Sequence, residues 1–180
     1  MSTMKRIALG LVLLTLVGCS SQSTAVPKVG EVISCASISR VAGGTGLQMP
    51  CLDGKSTISI ESLRGPLIVN VWGSWCASCK DELPIFRSFY AKSKSTVKML
   101  GVDVEEAKDS DGKDFVVSQG MTWPNLLDPD SRSRGFFGMG VPVTWFIDAK
   151  GAVVHKKIGV IQSERELRDL TSKYLGVTVG

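Results

Sequence analysis

The pair Cys76 and Cys79, separated by Ala77 and Ser78, is the part of the sequence best suited to chemistry. Two cysteines at this spacing can bind zinc, form an idle disulfide, or exchange electrons as a dithiol and a disulfide. A zinc site needs two further ligands, and the one histidine, His155, falls on a predicted strand far along the chain. A bridge that closes so small a ring constrains the unfolded chain little, so a purely stabilising role explains it poorly. The spacing therefore favours thiol–disulfide exchange.

The segment around the pair predicts how the two thiols are presented. Residues 67–72 form a continuous apolar run with β-branched side chains, typical of a strand buried on both faces. A short turn follows, and then a helix is predicted over 76–92. The unpaired N–H groups and the dipole of a helix N-terminus stabilise a thiolate, so we expect Cys76 to be more acidic than a free cysteine. We expect Cys76 to be the exposed attacking thiol and Cys79, one turn later, the buried resolving thiol.

The remaining segments predict an α/β fold around one sheet. An apolar strand after the helix completes a strand–helix–strand unit, whose two strands should be parallel. A helix, a short helix, two strands joined by a hairpin turn and a final helix with a capping box follow. These segments are 97–104, 109–119, 131–137, 143–147, 153–158 and 163–175. Before the first unit, 47–51 and 56–60 predict an N-terminal β-hairpin, whereas 30–46 has no clear pattern.

The count of five cysteines leaves one thiol over, which is awkward for an exported protein. Modification of Cys19 would remove that remainder and leave four cysteines, which an oxidising compartment favours pairing. Four cysteines allow three connectivities, and the spacing of Cys76 and Cys79 selects the one that leaves Cys35 with Cys51. We predict a structural disulfide between Cys35 and Cys51, with a second redox pair as the alternative.

The N-terminal residues predict export. Lys5 and Arg6 precede an almost wholly apolar stretch, 7–17, which is too short to cross a bilayer as a helix but suits the core of a signal peptide. Segment 16–19 (LVGC) resembles the lipobox of bacterial lipoproteins, which implies cleavage before Cys19 and its lipidation. The alternatives are a cleaved signal with a chance cysteine and a buried N-terminal helix. We therefore predict a lipoprotein signal peptide over 1–18, a lipid-anchored linker over 19–29 and one domain over 30–180.

Composition agrees with an ordinary globular domain. Hydrophobic residues make up 43% of the chain and charged residues 21%, and the net charge is +4. This balance is too apolar for a disordered chain, and the sequence carries no run of basic residues. We expect no nucleic-acid partner.

Three motifs, in order, resemble the TlpA/ResA family of membrane-anchored, extracytoplasmic proteins with a thioredoxin fold. They are 72–80 (WGSWCASCK) with 82–84 (ELP) just beyond, 140–144 (GVPVT), and 146–151 (FIDAKG). The resemblance covers about 29–175. It implies a thioredoxin fold, βαβ plus ββα around a central mixed sheet, with the N-terminal hairpin as an extension.

The resemblance also implies roles for individual residues. Pro142 is expected to be cis and to face the Cys76–Cys79 bridge, with Val141 offering backbone groups to an extended substrate. Trp75 would shield the disulfide. Glu82 matches a glutamate that the family places near the active cysteines, where it tunes their acidity and carries a proton. Asn70 departs from the buried aspartate of classical thioredoxins, which leaves Glu82 as the better candidate for proton transfer.

Three functions follow as hypotheses. The first is a thiol–disulfide oxidoreductase acting on protein disulfides outside the cytoplasm as a reductase. The resemblance to the TlpA/ResA family implies apocytochrome c as a client and a membrane thiol protein as the redox partner. Its variant is an oxidase that donates disulfides to secreted proteins. The second is a peroxidase of the peroxiredoxin group, which typically places a threonine three residues before its cysteine, where Gly73 stands here. The third is a binding module. No cofactor or metal is expected.

Overall fold

The structure is a computed structural model that describes residues 30–138 and 140–180, in which seven strands and four α-helices form. The strands are β1 Gln48–Pro50, β2 Thr57–Ser59, β3 Leu67–Trp72, β4 Lys98–Val104, β5 Asn125–Asp128, β6 Val143–Ile147 and β7 Val153–Ile158. The helices are α1 Ala77–Ser93, α2 Asp109–Gln119, α3 Arg134–Phe137 and α4 Glu164–Leu175. The predicted signal peptide, the linker and Cys19 lie outside the described residues.

The central sheet has the strand order β5-β4-β3-β6-β7. Strand β4 is parallel to β3 and to β5, whereas β6 is antiparallel to β3 and to β7. The unit β3-α1-β4 is the predicted βαβ half, and β6-β7-α4 is the predicted ββα half. The α/β fold class with a central mixed sheet is therefore confirmed.

Strand β3 lies in the middle of the sheet because its residues tolerate burial on both faces. All six of its residues are buried, with Leu67, Ile68 and Val69 at 0% exposure. Such a strand needs a layer on each side, and two clusters of apolar side chains provide them. The strand ends at Trp72, whose indole stacks on Phe115 of α2 at a centroid distance of 5.1 Å.

Two predicted helix boundaries are confirmed by their capping groups. Helix α2 ends at Gly120, which takes φ +63°, and its N–H bonds the carbonyls of Val116 and Val117. Helix α4 begins after Ser163, whose Oγ accepts from the N–H of Glu166 at 3.1 Å. The Glu166 carboxylate in turn accepts from the N–H of Gln162 at 2.7 Å, so the reciprocal bond of the capping box reaches the residue before the N-cap.

Two elements differ from the sequence prediction. Strand β5 was not predicted, because four residues after a proline carry too little alternation to distinguish a strand from a loop. The helix predicted over 131–137 is confined to Arg134–Phe137. Its first residues instead form a loop around Asp128, whose carboxylate accepts from the N–H groups of Arg132 and Ser133 at 3.0 and 2.9 Å.

The N-terminal extension covers the β5 edge of the sheet. The hairpin of β1 and β2 pairs Gln48 with Ser59, and both strands lie within the segments predicted for it, 47–51 and 56–60. A disulfide joins Cys35 to Cys51, and Cys51 forms a β-bridge with Leu126 of β5. Covering an edge in this way removes a row of unpaired backbone groups from solvent.

We predict that replacing both Cys35 and Cys51 by alanine lowers the free energy of unfolding by about 3 kcal/mol, because the disulfide closes a loop with a sequence separation of 16. Urea unfolding of the oxidised protein measures the change. The matched control replaces Cys76 and Cys79, which are three residues apart, and should lose less. Equal losses from the two double variants would contradict this assignment.

Candidate active site

The chain turns from β3 into α1 through Gly73, Ser74 and Trp75, and this turn presents the cysteine pair. The N–H of Cys76 donates to the carbonyl of Gly73 at 3.0 Å. Cys76 is the residue before the first helical residue, and its Sγ accepts from the N–H of Cys79 at 3.1 Å. The sulfur thus occupies the position at which an N-cap side chain satisfies an unpaired helix N–H.

Cys76 and Cys79 form a disulfide with an S–S distance of 2.09 Å and a Cα–Cα distance of 5.3 Å. Both residues are 5% exposed. The prediction that Cys76 is more exposed than Cys79 is therefore wrong for the disulfide form. In the disulfide form the two sulfurs are bonded to each other at the first turn of α1, so Cys76 and Cys79 are buried to the same extent.

The loop before β6 reaches the same end of the sheet as the disulfide. The Val141–Pro142 peptide is cis, and the N–H of Gly159 donates to the carbonyl of Pro142 at 3.0 Å. The next residue, Val143, pairs with Val71 at the end of β3. The sheet therefore brings this loop beside the turn that holds the cysteines.

A cavity of about 70 Å³ brings Trp75 and Val141 together, and Val71, Val104, Arg134 and Phe137 also line it. The Trp75 ring is 52% exposed, and its Nε1 donates to the carbonyl of Val104 at 3.2 Å. A half-exposed aromatic ring beside a cavity with apolar walls at Val71, Val104 and Phe137 suits contact with an apolar segment of a partner, and Glu105 and Arg134 add polar groups to the same cavity.

Glu82 lies one turn after Cys79 on α1 and is only 1% exposed. Its carboxylate accepts from Asn70 Nδ2 and from the N–H of Ile161, each at 2.9 Å. Burial raises the pKa of Glu82 to about 7, against the opposing effect of these two hydrogen bonds. A carboxyl with this pKa is divided between acid and base near neutral pH, which suits proton transfer.

The structure gives Asn70 a role that the sequence did not reveal. Its amide donates to Glu82 at 2.9 Å and lies 3.4 Å from Thr144 Oγ1 of β6. Asn70 and Thr144 are paired positions on neighbouring strands. The residue at the place of a buried aspartate in classical thioredoxins thus orients the carboxyl supplied by the helix.

The contact of Ser74 with Glu106 was also missed. The carboxylate of Glu106 accepts from the N–H and from the Oγ of Ser74 at 2.5 and 2.6 Å. The residues are 32 positions apart, but β3 and β4 are neighbours in register, and both end at this side of the sheet. The acidic pair Glu105 and Glu106 directly after a strand was the signal available in the sequence.

Comparison with known proteins identifies the family. The model of the AhpC/TSA family matches residues 45–156. The thiol-disulfide oxidoreductase ResA of Bacillus thuringiensis is 33% identical over 125 residues, which cover 68% of this chain and 70% of the relative. The chain belongs to the ResA-like thiol–disulfide oxidoreductases of the AhpC/TSA family. The resemblance to this family and the enzyme class predicted from the sequence are confirmed.

One further member agrees with this assignment in both sequence and structure. The sporulation thiol-disulfide oxidoreductase A of Bacillus subtilis is 30% identical over 129 residues, covering 69% of this chain and 77% of that protein. The crystal structure of StoA from B. subtilis superposes with a TM-score of 0.58 at 28% identity, covering 73% of this chain and 99% of that one. The matched family segment contains the disulfide, Glu82 and the loop at Pro142.

Membrane-spanning and metal-binding features were also sought in the described ranges. None of the helices there is both long enough and apolar enough to span a bilayer. Within the same residues, His, Cys, Asp and Glu side chains form no group of three that could hold a metal ion.

We predict that Glu82→Gln changes the pH dependence of folding stability. The folded state holds the Glu82 proton more tightly than the unfolded chain, because burial raises the pKa from 4.5 to about 7. The protonated Glu82 therefore stabilises the folded state fully below about pH 4.5. This contribution to the free energy of unfolding, about 3 kcal/mol, is lost as the pH rises to about 7.

Urea unfolding of the oxidised parent and of Glu82→Gln across this pH range measures the effect. Other carboxyls contribute equally to both proteins and cancel in the difference. The stability of the parent relative to the variant should decline up to about pH 7 and then become constant. Parallel curves would show that Glu82 titrates in its ordinary range.

Proposed function

We propose that this oxidoreductase is a lipid-anchored, extracytoplasmic reductase of protein disulfides, with Cys76 as the attacking thiol and Cys79 as the resolving thiol. The observation that carries the proposal is the Cys76–Cys79 disulfide at the N-terminus of α1, with the buried carboxyl of Glu82 one turn behind it. A helix N-terminus lowers the pKa of a cysteine, and a nearby carboxyl with a raised pKa can carry a thiol proton.

The proposed reaction begins with both cysteines reduced. The Cys76 thiolate attacks one sulfur of the client disulfide, which forms a mixed disulfide and releases the other client sulfur as a thiolate. Glu82 takes the proton of Cys79, and the resulting Cys79 thiolate attacks the Cys76 sulfur. The two client thiolates take up one proton from Glu82 and one from solvent, so the client leaves as a dithiol that has gained two electrons, and the Cys76–Cys79 disulfide remains.

The client segment is proposed to lie in extended form beside the loop at Pro142. Val141 would supply backbone groups for strand-like pairing, and Trp75 would cover the reacting sulfurs and contact the client. The cavity shared by Trp75 and Val141 supports this placement. The resemblance to the TlpA/ResA family indicates apocytochrome c as the client, whose haem-attachment segment carries a C-x-x-C-H pair. A membrane dithiol protein would return two electrons to Cys76 and Cys79.

Equilibration of the protein with a glutathione redox series tests the direction of electron flow. We expect a potential near the roughly −270 mV of thioredoxin, because no histidine lies between the two cysteines. A value near the roughly −120 mV of strong oxidants would instead support the disulfide-donating oxidase. Consumption of hydrogen peroxide by the reduced protein, at a rate comparable to its rate of disulfide reduction, would support the peroxidase.

Two cysteine variants test the roles within the pair. With an oxidised peptide that contains a C-x-x-C-H segment, Cys79→Ser should accumulate a mixed disulfide through Cys76, because the resolving thiol is absent. Cys76→Ser should form none. The control, in which Cys35 and Cys51 are both alanine, should reduce the peptide as the parent does. A mixed disulfide formed through Cys79 in the Cys76→Ser variant would reverse the assigned roles.

Location is proposed from the N-terminal sequence and from the disulfides. Both Cys35–Cys51 and Cys76–Cys79 are bonded, as is usual outside the cytoplasm. Lipidation at Cys19 would supply several acyl chains, which hold a protein to a membrane far better than one chain does.

We predict that Cys19→Ala moves the protein from the membrane fraction to the soluble fraction and abolishes incorporation of labelled fatty acid. The variant with alanine at Cys35 and Cys51 should incorporate label as the parent does, since those sulfurs are bonded to each other. Unchanged labelling of Cys19→Ala would show that another residue is lipidated or that the leader has a different role.

A further inference from the structure

Asp103 is a buried carboxyl group that the proposed reaction does not use. It lies on β4 opposite Trp72 of β3, and it is 0% exposed. Among the residues that the structure describes, no N–H or hydroxyl group donates to either of its oxygens. A buried carboxylate without a donor is costly, so this group needs either a cation or a proton of its own.

The fold makes room for the Asp103 side chain specifically. Its Oδ2 lies so close to Gly112 of α2 that a Cβ at position 112 would stand 1.7 Å away. Glycine in a helix interior costs about 1 kcal/mol relative to alanine. The glycine at position 112 lowers the stability of α2 but leaves the space that the Asp103 carboxyl occupies. This match favours a specific role for Asp103 over that of an ordinary core residue.

The groups that act on Asp103 are all acidic. They are Glu106 in the loop after β4, and Asp109 and Asp111 at the start of α2, whereas the paired positions on β3 and β5 are Trp72 and Leu127. Burial first, and then these carboxylates, raise the pKa of Asp103 to about 9. The described residues offer no three-ligand metal site, so a proton is the neutralising species.

Glu106 connects this carboxyl to the active site. It is the neighbouring acceptor to which a protonated Asp103 can donate, and it accepts both hydrogen bonds from Ser74. Ser74 lies two residues before Cys76 in the sequence. The indole Nε1 of the neighbouring Trp75 donates a hydrogen bond to the carbonyl of Val104, the last residue of β4. Val104 and Glu106 therefore hold Trp75 and Ser74, the two residues before Cys76.

We propose that Asp103 is a positioning residue for the Cys76–Cys79 disulfide. Its protonated carboxyl donates a hydrogen bond to Glu106, and Glu106 accepts the two hydrogen bonds that hold Ser74. When Asp103 loses its proton to solvent, two carboxylates face each other, Glu106 is repelled, and the turn before Cys76 loosens. The inference rests on the proposed roles of Cys76 and Cys79 in exchange, but it concerns the disulfide itself and needs no particular client.

The protonation of Asp103 is tested by carbon-13 NMR titration of its carboxyl carbon in the oxidised protein. The resonance is assigned by its absence from the spectrum of Asp103→Asn. We expect the carboxyl to be protonated at neutral pH and to ionise near pH 9. Ionisation in the ordinary range of an aspartate, near pH 4, would overturn the proposal.

The coupling to the site is tested by the rate at which a phosphine reduces the Cys76–Cys79 disulfide, since a phosphine has no thiol that ionises at alkaline pH. In the parent, we expect the rate to rise about tenfold as Asp103 ionises, which corresponds to the loss of one hydrogen bond to a charged group. Glu106→Ala, which removes the acceptor for Ser74, should show the faster rate already at neutral pH and no alkaline step.

The conservative variant Asp103→Asn separates positioning from general stability. Its amide can donate to Glu106 but does not ionise, so the slow reduction rate should persist through alkaline pH. The control Asp109→Asn should keep the step and move it to lower pH, because one repulsive charge is lost. A step that survives in Asp103→Asn, or a Glu106→Ala rate equal to that of the parent at neutral pH, would overturn the proposal. Neither measurement uses a protein client, so these outcomes are independent of the direction of electron flow.

Discussion

The junction between β3 and α1 is the constraint on which the site depends. A strand buried on both faces fixes the position of Trp72, and the next four residues must turn the chain into a helix. Cys76 then falls where helix N–H groups lack partners, and its sulfur accepts from the N–H of Cys79. The same N–H groups would stabilise a thiolate on Cys76 once the disulfide is reduced. Rigid elements on both sides of a short turn therefore set the reactivity.

Two buried carboxyls lie on different sides of this junction. Glu82 is on α1, bonded to Asn70 and to the Ile161 amide, and its pKa of about 7 allows proton exchange near neutral pH. Asp103 is on β4 among other acids, and its pKa of about 9 keeps its proton in place. Burial is the main cause of the raised pKa in both carboxyls. The two pKa values differ because two hydrogen-bond donors face Glu82, whereas acidic groups surround Asp103.

Local signals in the sequence were enough to predict elements in both halves of the fold. The apolar run at β3, the cysteine spacing and the capping box of α4 depend on residues close together in the chain, and each was found where expected. Glu82 and the loop at Pro142 came from the family resemblance. Strand β5 could not be predicted from local signals, because it is held by its pairing with β4 and by the contact of Asn125 with Trp72, 53 residues away. The bond between Ser74 and Glu106 was missed for the same reason, since it exists only once β3 and β4 are in register.

The two disulfides close loops of different length. The cysteines are 16 residues apart in Cys35–Cys51 and three residues apart in Cys76–Cys79. The wide loop is fastened at the far edge of the sheet, away from the turn that presents the reactive pair. Opening the short loop frees little chain entropy. We therefore expect the molecule to break and remake the Cys76–Cys79 bond in every catalytic cycle while the Cys35–Cys51 bond, predicted to be structural, stays closed.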